Sequence, residues 1–304
     1  MKTISVVTPS LNQGKFLEAT IDSVLSQSYP KLEYLIIDGG SSDGSVEIIK
    51  QYEKYLAFWS SEKDTGQSCA INKGMARATG EILCYLNSDD LYIQNSLSRV
   101  NDVFATRPEA WMVGRCRYLA DKEPRVRDWK PLNPGTNRAS WVMDPWVIPQ
   151  ASSFWSREAW RRAGPFREEL HYVFDTEFFL RLLFLEMPPC IVDEHLATRV
   201  LHEECKTVKR PGEFAEESRR LPELFESELV ALTRPDERRV IRSWETDRLL
   251  REARLTYGEN RSRAVRKGLQ ALVNAPVYTC LRLFKIAARR LNVYRNKRLS
   301  CSPE

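Results

Sequence analysis

No run of about 18 apolar residues occurs anywhere in the 304-residue chain, which excludes an ordinary membrane-spanning helix. The seven cysteines, at 69, 84, 116, 190, 205, 280 and 301, are odd in number and contain no CxxC pair, so neither a disulfide framework nor a zinc site is indicated. Histidine is scarce, at three residues. Two glycine fingerprints are also missing, GxGxxG and GxxxxGK[ST], which removes the dinucleotide-binding and P-loop classes. The opening residues MKTISVVTPS place a turn where a secretory leader carries its long apolar segment, so a cytoplasmic protein is expected.

What is present is enough apolar material, 42%, for a proper core alongside 29% charged residues. The formal charge of +5 is unevenly distributed. Residues 261–304 hold 11 Lys and Arg against one acid, Glu304, which leaves 35 basic and 40 acidic residues in the first 260. A weakly acidic body with a strongly basic tail is a poor nucleic-acid binder by net charge, and no nucleic-acid partner is expected.

The first hundred residues alternate strand and helix. Apolar, β-branched runs at Ile4 to Thr8, Leu32 to Ile37, Leu56 to Trp59 and Glu81 to Leu86 read as strands. Between them lie helical spacings: Leu17, Ile21, Val24 and Leu25 up to Pro30, then Val46, Ile48, Ile49 and Tyr52, then residues 67 to 78. That order predicts an α/β fold with a mostly parallel sheet flanked by helices, in which ligands bind beyond the carboxyl ends of the strands. Short strands are expected around 111–118 and 188–200, and helices from Arg157 and over Asp175 to Glu186. After Lys206, dense mixed charge with helical periodicity over Phe214 to Leu232 and Arg238 to Tyr257 marks a helical C-terminal region. The expected division is 1–205 as one α/β domain and 206–304 as helical, with a basic amphipathic tail over 261–304.

Polar residues gather at the strand ends: Pro9, Ser10 and Asn12 after the first strand, Asp38 closing the second, Asp64 before the third helix, and Asn87-Ser88-Asp89-Asp90 after the fourth strand. Adjacent carboxylates repel, so Asp89 and Asp90 call for a cation. Mg²⁺ uses one or two carboxylates together with substrate phosphates, and a divalent cation shared with a diphosphate suits this edge. An isolated Asp before Leu91-Tyr92-Ile93 would instead read as a helix cap; the convergence of Asp38 and Asp64 on the same edge favours the cation. The Gly39 to Gly44 loop reads as a tight strand-to-helix turn.

The segments SVVTPSLNQGKFLEATIDSVLSQSYP, EYLIIDGGSSDGS, SEKDTGQSCAINKGMARATGEILCYLNSDDLY and HYVFDTEFFLRLL, in this order, resemble the signature of family 2 glycosyltransferases, inverting enzymes of the GT-A fold, and within them the subgroup of bacterial O-antigen and exopolysaccharide assembly. The resemblance covers residues 1 to about 205. It implies that Pro9, Ser10, Asn12, Asp38, Asp64 and Asp89 surround the donor nucleotide, that Asp90, with Asp89, holds Mn²⁺ or Mg²⁺, and that Asp175 is the catalytic base. It places His202 at a position that often supplies a histidine to metal or diphosphate, and puts Gln150 to Trp155 on the acceptor side; Glu177 stands as the alternative carboxylate there. Asn87 and Gly39 depart from the family, where many members have Asp, and Cys205 replaces the Ser of a His-x-x-Ser-Lys-Thr pattern.

The implied activity is metal-dependent transfer of a hexose or N-acetylhexosamine from a nucleotide-sugar, a UDP-sugar in the first instance, to a glycan or lipid-linked saccharide of bacterial surface polysaccharide. The competing readings are a sugar-phosphate nucleotidyltransferase, for which TPSLNQGKF offers only Lys15 as a basic residue after the first strand, and a nucleotide-sugar-binding module without catalysis. In the tail, Arg282, Lys285 and Arg289 recur opposite Leu283, Phe284 and Ile286, a pattern for a helix lying on an anionic membrane surface. A helix packed on the acidic body is the alternative. The favoured reading is a cytoplasmic protein held peripherally at the inner face of the cell membrane.

Overall fold

The computed structural model describes residues 1–108, 111–120, 123–129, 138–143, 148–256 and 261–275. They form two compact units, residues 1–226 and 227–304.

The first unit is built on a nine-stranded mixed sheet: β1 (Ile4–Ser10), β2 (Leu32–Asp38), β3 (Phe58–Ser61), β4 (Ile82–Tyr85), β5 (Asp90–Tyr92), β6 (Trp111–Ala120), β7 (Glu123–Trp129), β8 (Ser153–Ser156) and β9 (Cys190–Leu201). The spatial order is β3-β2-β1-β4-β8-β6-β9-β5, with β7 pairing β6. The four strands expected from the alternating pattern form the parallel half, in register from Ile4↔Leu32 and Ile4↔Ile82. Beyond β4 the sheet turns mixed, because β8 runs antiparallel to both β4 and β6 while β9 runs parallel to β6.

Both faces are covered, as the fully buried strand β1 requires. On one face Leu17, Ile21 and Val24 of helix Gly14–Leu25, Ile49 of helix Ser45–Tyr52, and Leu97, Val100 and Phe104 of helix Ser96–Thr106 join Ile4, Val6, Ile36 and Ile82 in one core. Helix Gln67–Arg77 packs on the other face. There Gly74 lets the helix come close, since a Cβ would stand 2.4 Å from Val7 Cγ1. Further along that half of the molecule, Trp155 packs with Tyr85, Trp160, Phe166, Phe178 and Phe179, bringing helices Arg157–Ala163 and Phe174–Phe184 together in an aromatic layer.

The helix-cap alternative for Asp90 falls away, because Asp90–Tyr92 is a strand and the next helix begins at Ser96 behind Asn95. The periodicity over 214–232 resolves into two helices, Pro211–Leu224 and Glu226–Ala231.

The second unit contains helices Pro235–Thr256 and Arg261–Asn274. Val265, Leu269 and Val273 recur every fourth residue along one exposed side of the latter, while Ala264 and Ala271 are buried. Among the described residues no helix is long and apolar enough to cross a membrane. The amphipathic pattern over 282–290 lies outside the described residues.

Candidate active site

The carboxyl ends of β1 and β4, helix Gln67–Arg77, the start of helix Phe174–Phe184 and the end of β9 surround a cleft of about 350 Å³, within the range for small-molecule sites. Pro9, Ser10, Asp64, Asp89, Asp90, Gln150 and Asp175 all line it. Residues separated by up to 166 positions in sequence thus meet at one sheet edge.

The edge is held open by two loops that bind each other. After β1 the chain enters left-handed backbone at Asn12, whose N–H donates to Ser41 Oγ (2.7 Å) and whose Oδ1 accepts from Ser42 N–H (2.9 Å). After β2, Asp38 is buried and its carboxylate accepts from the N–H groups of Gly40 and Ser41 and from the hydroxyls of Ser41 and Ser61. Asn12 and Asp38 therefore stand behind the cleft wall, unlike their neighbours Pro9 and Ser10. A Cβ at residue 39 would lie 3.0 Å from Asp64 Oδ2, so any side chain there would press on that carboxylate. Ser10 Oγ and Gln13 Oε1 are buried without a partner beside this wall, polar atoms whose burial is costly unless a ligand completes them.

At the centre, Asn87 is a hub. Its amide donates to Asp90 Oδ2 (3.2 Å) and Gln150 Oε1 (3.3 Å) and its Oδ1 accepts from Gln67 Nε2 (2.7 Å), while Gln150 Nε2 donates to the carbonyl of Tyr85 (2.8 Å). An ionised aspartate at position 87 would have no proton to donate to Asp90. Asp90 is 2% exposed, and burial, reinforced by the Asp89 carboxylate, pushes it well above the usual carboxylate range. Val200 N–H donates to its Oδ1. Opposing that shift is Arg199, which sits directly across the β5–β9 pair from Asp90. Directly opposed residues in an antiparallel pair share a face, so the register itself brings the guanidinium to the carboxylates.

Asp89 meets the turn that follows β9. Its Oδ2 lies 3.0 Å from His202 Nε2 and 3.9 Å from Cys205 Sγ, and the three ligand atoms all lie within 4.8 Å of one another. Phe16 stacks on the His202 ring at 4.0 Å. A carboxylate oxygen, an imidazole nitrogen and a sulfur around one point fit a divalent cation, and the surplus of carboxylates in the cleft calls for one.

Asp175 lies in the first turn of its helix, half-buried, with Thr176 N–H donating to its Oδ1 (2.6 Å), and burial raises its pKa. It is not the cap of that helix. Val173 holds the cap position, and the Glu217 carboxylate takes the N–H groups of His171, Tyr172 and Val173. Two expectations about the acceptor side are corrected. Trp155 is 0% exposed within the aromatic layer, so no sugar ring can stack on it; Glu177 is equally buried and paired with Arg167 (2.9 Å) and Arg181 (3.0 Å), away from the cleft.

Sequence reading missed Arg199, Lys206 and Gln67, which line the cleft, and Glu217, which shapes it, and noted Cys205 only as a departure from a family pattern. For Arg199 and Cys205 a signal existed, since both flank His202 within three residues; what was lacking was the pairing of β5 with β9.

A sequence profile described as "Glycosyl transferase family 2" matches residues 5–162. An uncharacterized glycosyltransferase of Mycobacterium tuberculosis is 30% identical over 194 residues, 62% of this chain and 72% of that one. The poly(ribitol-phosphate) beta-N-acetylglucosaminyltransferase TarP of Staphylococcus aureus is 35% identical over 102 residues, covering 32% of this chain and 31% of that one. Among solved structures, S. aureus TarS 1-349 in complex with UDP-GlcNAc superposes with a TM-score of 0.61 at 14% identity, over 91% of this chain and 82% of that one. The open curled sheet with flanking helices is thus the GT-A fold, and the chain belongs to glycosyl transferase family 2.

Proposed function

We propose that this protein is a metal-dependent inverting glycosyltransferase that moves a hexosyl or N-acetylhexosaminyl group from a nucleotide-sugar, a UDP-sugar, to a saccharide or lipid-linked saccharide in the synthesis of a bacterial surface polysaccharide. The carrying observation is the meeting of Asp64, Asp89, Asp90 and Asp175 with Arg199 in one cleft at the strand ends. The relatives add support: TarP is a poly(ribitol-phosphate) beta-N-acetylglucosaminyltransferase, and the TarS structure holds UDP-GlcNAc.

In this reading Pro9, Ser10 and Asp64 face the nucleoside, with Asn12 and Asp38 setting the loop shape behind them. Asp89, Asp90 and His202 hold Mn²⁺ or Mg²⁺, which when bound neutralises charge growing on the leaving diphosphate. Asp175 takes the proton from an acceptor hydroxyl as that oxygen attacks the anomeric carbon from the face opposite the diphosphate. A single displacement of this kind inverts the anomeric centre, in contrast to the covalent route of retaining hydrolases. Gln150, fixed by Asn87 and by the Tyr85 carbonyl, borders the acceptor. The catalytic domain extends past the expected end at 205 to residue 226, since Lys206 lines the cleft and Glu217 holds the segment before the Asp175 helix; the basic residues of the helical region that follows hold the protein peripherally at the inner face of the membrane, where a lipid-linked acceptor is found.

The test incubates the purified protein with a panel of nucleotide-sugars and Mn²⁺ or Mg²⁺ and reads released nucleoside diphosphate, with and without a chelator. Turnover of one donor, abolished by the chelator, is the expected result. If no donor binds or turns over, the transferase reading fails.

A further inference from the structure

Cys205 enters the cleft from a tight turn. The N–H of Cys205 donates to the His202 carbonyl (3.1 Å) and the N–H of His202 donates to Cys205 Sγ (3.3 Å), so the chain folds back and sets the thiol beside the imidazole. Both residues are buried, and the Asp89 carboxylate completes the group from beyond β4's end. Donor atoms on a tetrahedral ion with bonds of about 2.0–2.3 Å stand roughly 3.3–3.8 Å apart, and the cluster's separations of 3.0 Å and 3.9 Å bracket that spacing. His202 Nδ1 is buried without a partner, which leaves Nε2 as the atom turned to the cluster.

We propose that Cys205 is a metal ligand, so that Asp89, His202 and Cys205 form an O/N/S site selecting a thiophilic divalent cation, Zn²⁺ or Co²⁺, over Mg²⁺. This rests on the reading of the cleft as a cation site and changes which cation it favours. A thiolate is a soft ligand that Zn²⁺ and Co²⁺ accept and Mg²⁺, which prefers hard oxygens, does not. A cation bound here would take Cys205 as the thiolate, its thiol proton passing to solvent.

The test uses the full chain and metal alone, with no donor. Co²⁺ titration of the unaltered protein is expected to raise a near-ultraviolet thiolate-to-cobalt charge-transfer band, displaced by Zn²⁺ and not by Mg²⁺. Cys205→Ser and Cys205→Ala, folded by circular dichroism, are expected to lose the band and to bind Zn²⁺ at least tenfold more weakly, with Mg²⁺ affinity unchanged. Cys69→Ser and Cys190→Ser are expected to keep it. Absence of the band from the unaltered protein, its survival in both Cys205 variants, or their undiminished Zn²⁺ affinity overturns the proposal. Donor turnover on Mg²⁺ or Mn²⁺ without the band leaves the transferase reading standing and removes Cys205 as a ligand. The band without turnover of any donor does the reverse.

Discussion

Asn87 shows how one atom type sets the character of the cleft. As an amide it ties Asp90 to Gln150 and accepts from Gln67; as a third adjacent acid it would add repulsion beside Asp89 and Asp90. Asp175 and Glu177 illustrate how two positions on a helix divide roles, one side chain at the cleft and the other locked between two arginines. Asp175→Asn should leave donor binding intact and lower the transfer rate by about 10²–10⁴-fold, the usual share of general-base assistance, as read by equilibrium binding and by product formation. Loss of donor binding instead would make Asp175 a structural residue. Glu177→Ala should act on stability, costing about 3 kcal/mol in urea unfolding because Arg167 and Arg181 lose their shared buried partner. An unchanged unfolding midpoint would contradict that assignment.

Short elements do the positioning. β5 is three residues long, yet its pairing with β9 sets Arg199 opposite Asp90 and carries His202, just past the end of β9, to Asp89. At the opposite end of the parallel strands, Glu33 of β2 accepts from the Ser5 hydroxyl, Thr79 N–H and hydroxyl, and Gly80 N–H, fastening β1, β2 and the approach to β4. Burial raises the Glu33 pKa, but these hydrogen bonds together outweigh it and leave the net value below 4.5. A carboxylate depressed in the folded state contributes stability in full above its unfolded pKa, and loses it as pH falls through the folded value. Glu33→Gln should therefore cost about 1.5 kcal/mol at pH 7, with the gap to the unaltered protein closing below pH ~4.5 in a series of urea melts. A gap that is constant with pH would rule out the ionised carboxylate as its source.

At the scale of the whole molecule, charge and architecture separate. The acidic residues of the cleft belong to the first unit, and the excess positive charge lies in residues 261–304. Helix Arg261–Asn274 adds to this an exposed row of Val265, Leu269 and Val273 flanked by Arg263 and Arg266, the composition of an interfacial helix. With about 1 kcal/mol per basic residue near anionic headgroups, the full chain should sediment with phosphatidylserine-containing vesicles in a salt-sensitive manner, and truncation after Tyr257 should abolish this. Equal sedimentation of the truncated chain would remove the membrane role.

The sequence by itself determined the parallel half of the sheet and the family, because alternating apolar periods and turn residues act locally, and a strand end followed by a polar loop must lie at the sheet's carboxyl edge. It could name Asp89, Asp90, Asp175 and His202 from spaced motifs. Only the tertiary structure decided which of them meet. β5 and β8 are too short to carry a period, and the pairing of β5 with β9 joins positions about 110 residues apart with no local signal of register. Burial was equally hidden: Trp155 and Glu177 have the residue types of a sugar site, and packing on both sides placed them in the core.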